Sequence, residues 1–235
     1  MRTHDNGIVA DVLATFVGRP RPIGETRGRV VESAIGKARV EAATIELGET
    51  NLAGDRQADL RVHGGPDKAV YVYPSEHLAA WQADGFAVEA GGLGENLSLA
   101  GVTERDALLG DVWRWGDALV QVSQPRAPCF KLAIHAGRKD IGPRMIETGR
   151  SGWYLRVLQP GVVPTSGPLV LVQRDDGAPS VHDAFAAMFA GRDGDGADGS
   201  DGAVDDDVVA RLLASPALAE SWRAPLAARR AGARR

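Results

Sequence analysis

One cysteine, Cys129, offers the most distinctive chemistry in this sequence of 235 residues. It follows Pro128, and the cations Arg126 and Lys131 lie close to it along the chain. A free thiol has a pKa of about 8.5, and neighbouring cations favour the thiolate, which attacks electrophiles or binds soft metals. Cys129 is therefore a candidate nucleophile or metal ligand. The alternative is that it is only a small buried apolar residue, as a free cysteine often is.

The loop from Gly54 to Lys68 is the second candidate site, because it concentrates acids, bases, one histidine and a glycine pair. Gly64 and Gly65 would allow backbone amides to approach a ligand closely, and His63 could hold or transfer a proton near neutral pH. The same composition also suits an ordinary polar turn. If Cys129 were a hydrolase nucleophile, its base would be His63 or His135, and the sequence does not decide between them.

Three other kinds of site are not supported. The segment 92–96 (Gly-Leu-Gly-Glu-Asn) lacks the spacing of a dinucleotide-binding motif and leads toward a strand rather than a helix. One cysteine and five unpaired histidines do not form a zinc motif. The Asp/Gly-rich segment 191–202 fails as a calcium loop, because Asp198 and Val204 stand where glycine and glutamate are needed.

Composition indicates an ordinary globular protein, with 44% apolar and 25% charged residues. A net charge of -4 gives no reason to expect nucleic-acid binding. Asp5 and Asp11 interrupt any apolar signal-peptide region, and the chain has no apolar run of transmembrane length. We therefore predict a cytoplasmic protein that is not associated with membranes.

Many short strands separated by glycine-containing turns predict a mainly β fold, closed into a barrel so that strand edges are not exposed. A short helix is expected from Pro74 through Trp81 and another over 140–148. The predicted strands are 8–17, 29–33, 38–47, 69–73, 95–99, 112–115, 118–123, 153–158 and 168–173.

The chain beyond about residue 178 has helical spacing instead. We predict a barrel domain over 1–177 and a small three-helix extension over 178–235. Its helices are expected at 181–189, at 204–213 and from Pro216 toward Arg230, with a solvated Asp/Gly-rich connection at 191–203. Because this extension holds no metal-ligand candidate beyond His182, we expect it to be dispensable for metal binding.

With these pieces in order, the sequence resembles the MOSC family, the molybdenum cofactor sulfurase C-terminal domain family, and most closely its YiiM-type bacterial members. The resemblance covers most of residues 8–175, and the Asp/Gly-rich insert departs from it. The motifs that carry it are Ser33-Ala-Ile-Gly-Lys37, Gly54-Asp55, Gln57-Ala-Asp59, Val62-His-Gly-Gly-Pro-Asp-Lys68, Gly94-Glu-Asn-Leu97, Gly110-Asp111, Arg114-Trp-Gly116, Gln121-Val-Ser-Gln-Pro-Arg126, Pro128-Cys-Phe-Lys-Leu132 and Gly152-Trp-Tyr-Leu-Arg156 through Gly161.

This resemblance implies a MOSC-type β-barrel that binds molybdenum cofactor (molybdopterin), with Cys129 as the protein ligand to the metal and His63 as a nearby acid. A thiolate suits such a metal, and cations suit the cofactor phosphate. The residues expected to bind the cofactor are Lys37, Arg56, Gly64, Gly65, Asn96, Arg126 and Lys131.

The activity implied is reduction of N-hydroxylated compounds, such as 6-hydroxylaminopurine-type base analogues, to amines. Flavin and NAD motifs are not found in the sequence, so we expect a separate electron-donating reductase as partner. Two other functions remain open at this point. They are a sulfur-carrying transferase with a persulfide on Cys129, and a storage protein that binds the cofactor without turnover. The sequence leaves open whether the protein is a monomer or a homodimer.

Overall fold

The described part of the chain contains thirteen strands and six α-helices. The structure is a computed structural model that describes residues 2–4, 7–60, 63–189 and 205–233. The strands are β1 (Arg2–His4), β2 (Gly7–Val17), β3 (Arg21–Thr26), β4 (Arg29–Ser33), β5 (Ala38–Arg39), β6 (Thr44–Leu47), β7 (Val70–Pro74), β8 (Leu97–Ala100), β9 (Val112–Trp115), β10 (Ala118–Pro125), β11 (Trp153–Gln159), β12 (Gly161–Pro164) and β13 (Gly167–Gln173). The helices are α1 (Leu78–Ala83), α2 (Phe130–Ala136), α3 (Ile141–Thr148), α4 (Val181–Phe189), α5 (Asp206–Ala214) and α6 (Glu220–Ala233).

Seven strands in the described residues form a closed barrel, which confirms the predicted architecture. Their order is β2, β13, β9, β10, β11, β7 and β8, and β8 pairs back with β2 to close the ring. Neighbouring strands are antiparallel except β7 and β8, which are parallel. Closure pairs the strand edges that an open sheet would leave exposed to other chains.

Local alternation along the strands separates the core from the candidate site. On β11, Trp153 and Leu155 are buried at 2% and 0% exposure, whereas Tyr154 between them is less buried and points to the opposite face. Trp81 from α1 is also fully buried and donates a hydrogen bond from its indole Nε1 to the Tyr73 hydroxyl at 2.5 Å. These buried aromatic residues are therefore part of the hydrophobic core.

The prediction of one strand over 38–47 is wrong. The segment is divided into β5, which pairs with β2, and β6, which pairs with β12. Between β5 and β6 the backbone does not form a strand. There the Ala42 and Ala43 carbonyls accept hydrogen bonds from the hydroxyl and the backbone amide of Thr165. Local composition did not reveal this change of partner, because both pieces have strand propensity.

Four of these strands and helices were not predicted, namely β1, β3, β12 and α2. Strand β3 begins just after Pro20, and it pairs with β4 in a separate two-stranded ribbon, where Pro22 is tolerated at an edge. Helix α2 begins directly after Cys129 and ends at Gly137, which adopts a left-handed conformation with φ of 64°. Its seven residues are too few to give a clear helical period.

The three helices of the C-terminal extension, α4 to α6, pack on the barrel as predicted in number. The predicted start of the third helix at Pro216 is wrong, because the Leu218 and Ala219 amides donate to Ser215 and Ser123 carbonyls in a turn before Glu220. The connection predicted over 191–203 lies outside the described residues. None of the described helices combines the length and apolar character required to span a membrane.

One hydrophobic core continues from the barrel into this extension. Leu218, Trp222 and Leu226 belong to the same buried cluster as Trp153 and Val122. Truncation after Arg174 would expose this surface to water. We therefore no longer expect the barrel to stay folded and bind metal without the extension.

Candidate functional site

A cavity of about 460 Å³ lies where the segment after β4, the loop before β7 and the segment after β10 meet. Its wall also includes residues of β7 and β11, of the loop before β8 and of the start of α6. Most of the residues predicted for the site line this cavity, and Gly65 is the exception. The predicted residues in the wall are Lys37, Arg56, His63, Gly64, Asn96, Arg126, Cys129 and Lys131.

Cys129 is placed in the cavity wall by the end of β10 and the start of α2, and it is partly buried. Burial alone would raise the pKa of its thiol. A hydrogen bond with His63, the positive charges of Arg126 and His63, and a backbone hydrogen bond from Leu132 act in the other direction and bring the pKa down to about 6. Cys129 is therefore mainly a thiolate at neutral pH, the form that binds soft metals.

The structure also decides between the two candidate histidine partners of Cys129. His63 lies in the cavity wall and contacts the thiol, whereas His135 is not among the lining residues. The pKa of His135 is lowered by burial and by the charge of Arg21. Only His63, of these two, is placed to hold a proton beside Cys129.

In metal-free protein, we expect the alkylation rate of Cys129 by iodoacetamide to rise with pH around a midpoint near 6, because the thiolate forms as pH increases through the lowered pKa. His63→Ala should move the midpoint upward, toward the usual range of a thiol, since it removes both the hydrogen bond and the charge. His135→Ala serves as the matched control and should leave the midpoint in place. A wild-type midpoint above 8 would contradict the assignment of Cys129 as a stabilised thiolate.

Arg126 is the most deeply buried cation of the wall, with 5% of its surface exposed. Its guanidinium donates to the Met145 sulfur at 3.2 Å and lies 5.4 Å from the ring centroid of Tyr71. Within the described residues it forms no ion pair with a carboxylate. A buried charge without a counter-ion is unfavourable by several kcal/mol. The Cys129 thiolate and the buried Glu95 carboxylate supply part of the negative charge near Arg126, and an anionic ligand would supply more.

The cavity as a whole is cationic, although the protein carries a net charge of -4. Among its described lining residues, Asp55 is the single carboxylate. The cations of the wall are Lys37, Arg56, Lys68, Arg126 and Lys131. Such a surface attracts phosphate-bearing ligands.

Asp55, which was not predicted as a site residue, organises the opposite wall. It is fully buried and accepts from the Lys37 ammonium at 2.5 Å, the Gly18 amide at 2.7 Å and the Asn96 side chain at 3.0 Å. Burial lowers the pKa of Lys37, and the charge and hydrogen bond of Asp55 oppose that shift. Lys37 is thus held by a protein carboxylate, and its contact with a phosphate stays a prediction.

The side chain of Asn96 is likewise hydrogen-bonded to other residues of the protein. Its side-chain nitrogen donates to the Phe16 carbonyl at 3.1 Å and to Asp55, and its oxygen accepts from the Tyr71 amide at 3.0 Å. This joins β2, β7 and the Asp55 loop at one point. Its predicted role as a direct cofactor ligand stays untested, but its position in the wall is fixed by these bonds.

Asp55→Ala is expected to lower the free energy of unfolding by about 3–5 kcal/mol, because it leaves the buried Lys37 charge without its partner. The double variant Asp55→Ala, Lys37→Met should be more stable than the single variant, since both charges are then absent. Urea unfolding of the three proteins measures this. A single variant as stable as the wild type would contradict a buried ion pair at this position.

A row of side chains across three strands forms another part of the wall. Gln124 on β10 is in register with Tyr154 on β11, which is in register with Tyr71 on β7. All three line the cavity, together with Ser221 and Trp222 of the C-terminal extension. The Ser221 hydroxyl donates to the Gln124 side-chain oxygen at 2.8 Å. Alternation along β7 and β11 offered a signal for the tyrosines, but the contribution of α6 required the tertiary structure.

A resident metal at Cys129 would require ligands other than the described residues of the protein. No group of three or more His, Cys, Asp or Glu side chains in the described residues is arranged to hold a metal ion. One soft thiolate in a cationic cavity instead suits a metal that arrives with sulfur ligands and a phosphate of its own.

Comparison with known proteins gives matches over most of the chain. The MOSC domain model matches residues 59–173. Protein YiiM of Escherichia coli is 41% identical in an alignment of 204 positions that covers 84% of each chain. A protein named "Reductase" from Gibberella moniliformis is 33% identical over 152 residues, 63% of this chain but only 27% of that protein. The crystal structure of YiiM from Geobacillus stearothermophilus superposes with a TM-score of 0.74 and 36% identity, covering 94% of this chain and 98% of that one.

Proposed function

Because the chain belongs to the MOSC domain family, as a homologue of the YiiM proteins, we propose that it is a molybdenum cofactor-dependent reductase that converts N-hydroxylated compounds to amines. Base analogues of the 6-hydroxylaminopurine type are the proposed substrates. The observation that carries this proposal is the Cys129 thiol, with its pKa lowered to about 6, in the wall of a cationic cavity.

The residues of the cavity fit the cofactor. Cys129 supplies a soft thiolate ligand, and Arg126 supplies a buried positive charge that forms no direct ion pair with a carboxylate among the described residues. Arg56 and Lys131, both in the cavity wall, would bind the cofactor phosphate. When bound, the molybdenum centre would supply the two-electron chemistry needed to cleave an N–O bond.

The protein residues would supply the proton and the orientation of the substrate. Reduction of a hydroxylamine consumes two electrons and two protons and gives an amine and water. The His63 imidazole, which lies beside Cys129, would hold one of these protons and release it toward the departing oxygen. Tyr71 and Tyr154 would provide aromatic surface for a planar base. A separate reductase in the cytoplasm would supply the two electrons for each turnover.

A second candidate function rests on the same thiol. A thiolate with a pKa of about 6 is also suited to carry a persulfide, so a sulfur-carrying transferase is the alternative. Storage of the cofactor without turnover is a further possibility of the same site. The three functions differ in whether the purified protein contains molybdenum cofactor, carries a persulfide and turns over a substrate.

An assay of amine formation tests the proposal. Protein from a host that makes molybdenum cofactor would be incubated anaerobically with 6-hydroxylaminopurine and a chemical reductant, and adenine measured by chromatography. We expect many turnovers, and none from protein made in a host unable to synthesise the cofactor. Equal rates from the two preparations would contradict a cofactor-dependent reaction. A protein that binds the cofactor without forming adenine would indicate storage.

A further inference from the structure

The side chain of Tyr154 places a hydroxyl group in the cavity wall. Tyr154 lies on β11, on the face opposite to its buried neighbours Trp153 and Leu155, and it lines the cavity. Unlike these two neighbours, it is partly exposed. Because Tyr154 combines accessible surface with a place in the wall, a ligand in the cavity can contact it.

The other two tyrosines of the chain use their hydroxyl groups within the protein. The Tyr71 hydroxyl donates to the Ser151 carbonyl at 2.8 Å, and the Tyr73 hydroxyl donates to the Arg150 carbonyl at 3.2 Å. Within the described residues, the Tyr154 hydroxyl donates to no carbonyl or carboxylate. Its hydrogen is therefore available to a bound ligand.

The surroundings of Tyr154 place this hydroxyl beside the candidate metal ligand. Its hydroxyl interacts with Arg126, whose guanidinium can only donate, so the phenol oxygen is the acceptor and its hydrogen stays free. Tyr154 also interacts electrostatically with Cys129, and its ring centroid lies 5.2 Å from that of Tyr71. Burial raises the pKa of Tyr154, with the charge of Arg126 acting against this shift. The hydroxyl thus keeps its proton at neutral pH.

Reduction of a hydroxylamine needs protons at two different atoms. When the N–O bond breaks and the substrate accepts two electrons, the departing hydroxyl takes one proton to leave as water. The nitrogen keeps the second electron pair and takes the other proton to become the amine. The His63 imidazole would supply the proton for the oxygen, which leaves the proton for the nitrogen to be assigned.

A tyrosine hydroxyl is suited to this second transfer. A nitrogen that gains an electron pair as the N–O bond breaks is more basic than a phenolate, so the transfer is favourable even from a phenol that is less acidic than usual. The phenolate that remains lies beside Arg126, whose positive charge stabilises it. Water entering the cavity would then return the proton to Tyr154.

We propose that the Tyr154 hydroxyl donates a proton to the substrate nitrogen as the N–O bond breaks, which makes Tyr154 a second catalytic residue beside His63. This inference rests on the proposed function for the reaction that it serves. With two electrons from the separate reductase and one proton from each of the two residues, the products are one amine and one water.

The test is Tyr154→Phe, which removes only the hydroxyl and keeps the ring. Turnover of 6-hydroxylaminopurine per bound molybdenum should fall by about 100-fold or more, the usual contribution of a positioned proton donor. In metal-free protein, where the compound is not reduced, its affinity measured by calorimetry should fall about two- to tenfold, the size of one neutral hydrogen bond. Molybdenum content and thermal midpoint should match those of the wild type.

Tyr73→Phe is the matched control, because it removes a tyrosine hydroxyl that is buried outside the cavity wall. It should lower the thermal midpoint, since the Trp81 indole loses its acceptor, and leave turnover and affinity unchanged. Equal losses of turnover in the two variants would overturn the proposal. So would a Tyr154→Phe protein with wild-type turnover per molybdenum, whether its affinity or its molybdenum content has fallen or not.

A second variant covers failure of Tyr154→Phe to fold. Tyr154→Met also lacks the hydroxyl and fills the space with a flexible side chain, and it should show the same loss of turnover per molybdenum. Wild-type turnover in that protein would contradict the role of Tyr154. Failure of the proposed function is judged separately, from adenine formation by the wild type, and the affinity of metal-free protein is measured independently of it.

Discussion

Cys129→Ser should lower the rate of hydroxylamine reduction by more than about 100-fold while leaving the fold intact, because even the loss of residues that only support a metal ligand costs activity 10–100-fold. The change is nearly isosteric, so packing around α2 is retained. A serine hydroxyl, however, does not ionise at neutral pH as the thiol with a pKa of about 6 does, and its alkoxide is a harder and more basic donor. Turnover, molybdenum content and thermal midpoint would be measured on one preparation.

The matched control is Ala127→Ser, which adds a hydroxyl to the same cavity wall without removing a ligand. It should retain the molybdenum content and turnover of the wild type. If Cys129 is only a partly buried apolar residue, Cys129→Ser would instead lower stability by about 1–3 kcal/mol and keep full activity per folded molecule. That result would exclude the ligand role.

Arg126→Met is the second large effect we expect. It should lower the pterin and molybdenum content of purified protein by about 10–100-fold at a fixed washing protocol, since hydrogen bonds to charged groups contribute about 1.5–3 kcal/mol. It should also raise the pKa of Cys129 above about 6, because the nearby positive charge that stabilises the thiolate is lost. The fold should persist, as methionine fills much of the same buried volume.

Arg150→Met is the matched control for this variant. Arg150 also lies over an aromatic ring, with its guanidinium 5.5 Å from the Trp81 centroid, but it is only partly buried, is paired with Asp84 and does not line the cavity. It should lower the free energy of unfolding without changing cofactor content or the pKa of Cys129. Equal losses of cofactor in the two arginine variants would indicate a general weakening of the fold rather than an anion site.

The barrel was predictable because the sequence signal of each strand lies within the strand and its flanking turns. Strands such as β2, β9 and β10 carry their own alternation, and turns containing glycine mark their ends. The same local reasoning failed where pairing partners change, as between β5 and β6, and where an element is short, as in α2. Propensity does not specify which strand a segment will pair with.

The chemistry of the site was predictable by residue type, but its connections were not. Cys129 and His63 were each recognisable, yet their contact depends on how the loop before β7 meets the end of β10. Asp55 was passed over because a lone aspartate in a polar loop gives no sign that it will be buried beside Lys37. Tyr154 and Trp222 enter the wall through strand register and through packing of α6. Gly65 was predicted with Gly64, but only Gly64 lines the cavity.

A single-turnover experiment tests the central claim most directly. Wild-type protein from a cofactor-producing host would be analysed for molybdenum, reduced anaerobically, freed of reductant and mixed with excess 6-hydroxylaminopurine. The account predicts adenine in an amount close to the molybdenum content, and no adenine from the Cys129→Ser protein. Metal-free wild-type protein that carries labile sulfane sulfur on Cys129, or molybdenum-loaded protein that forms no adenine, would contradict it.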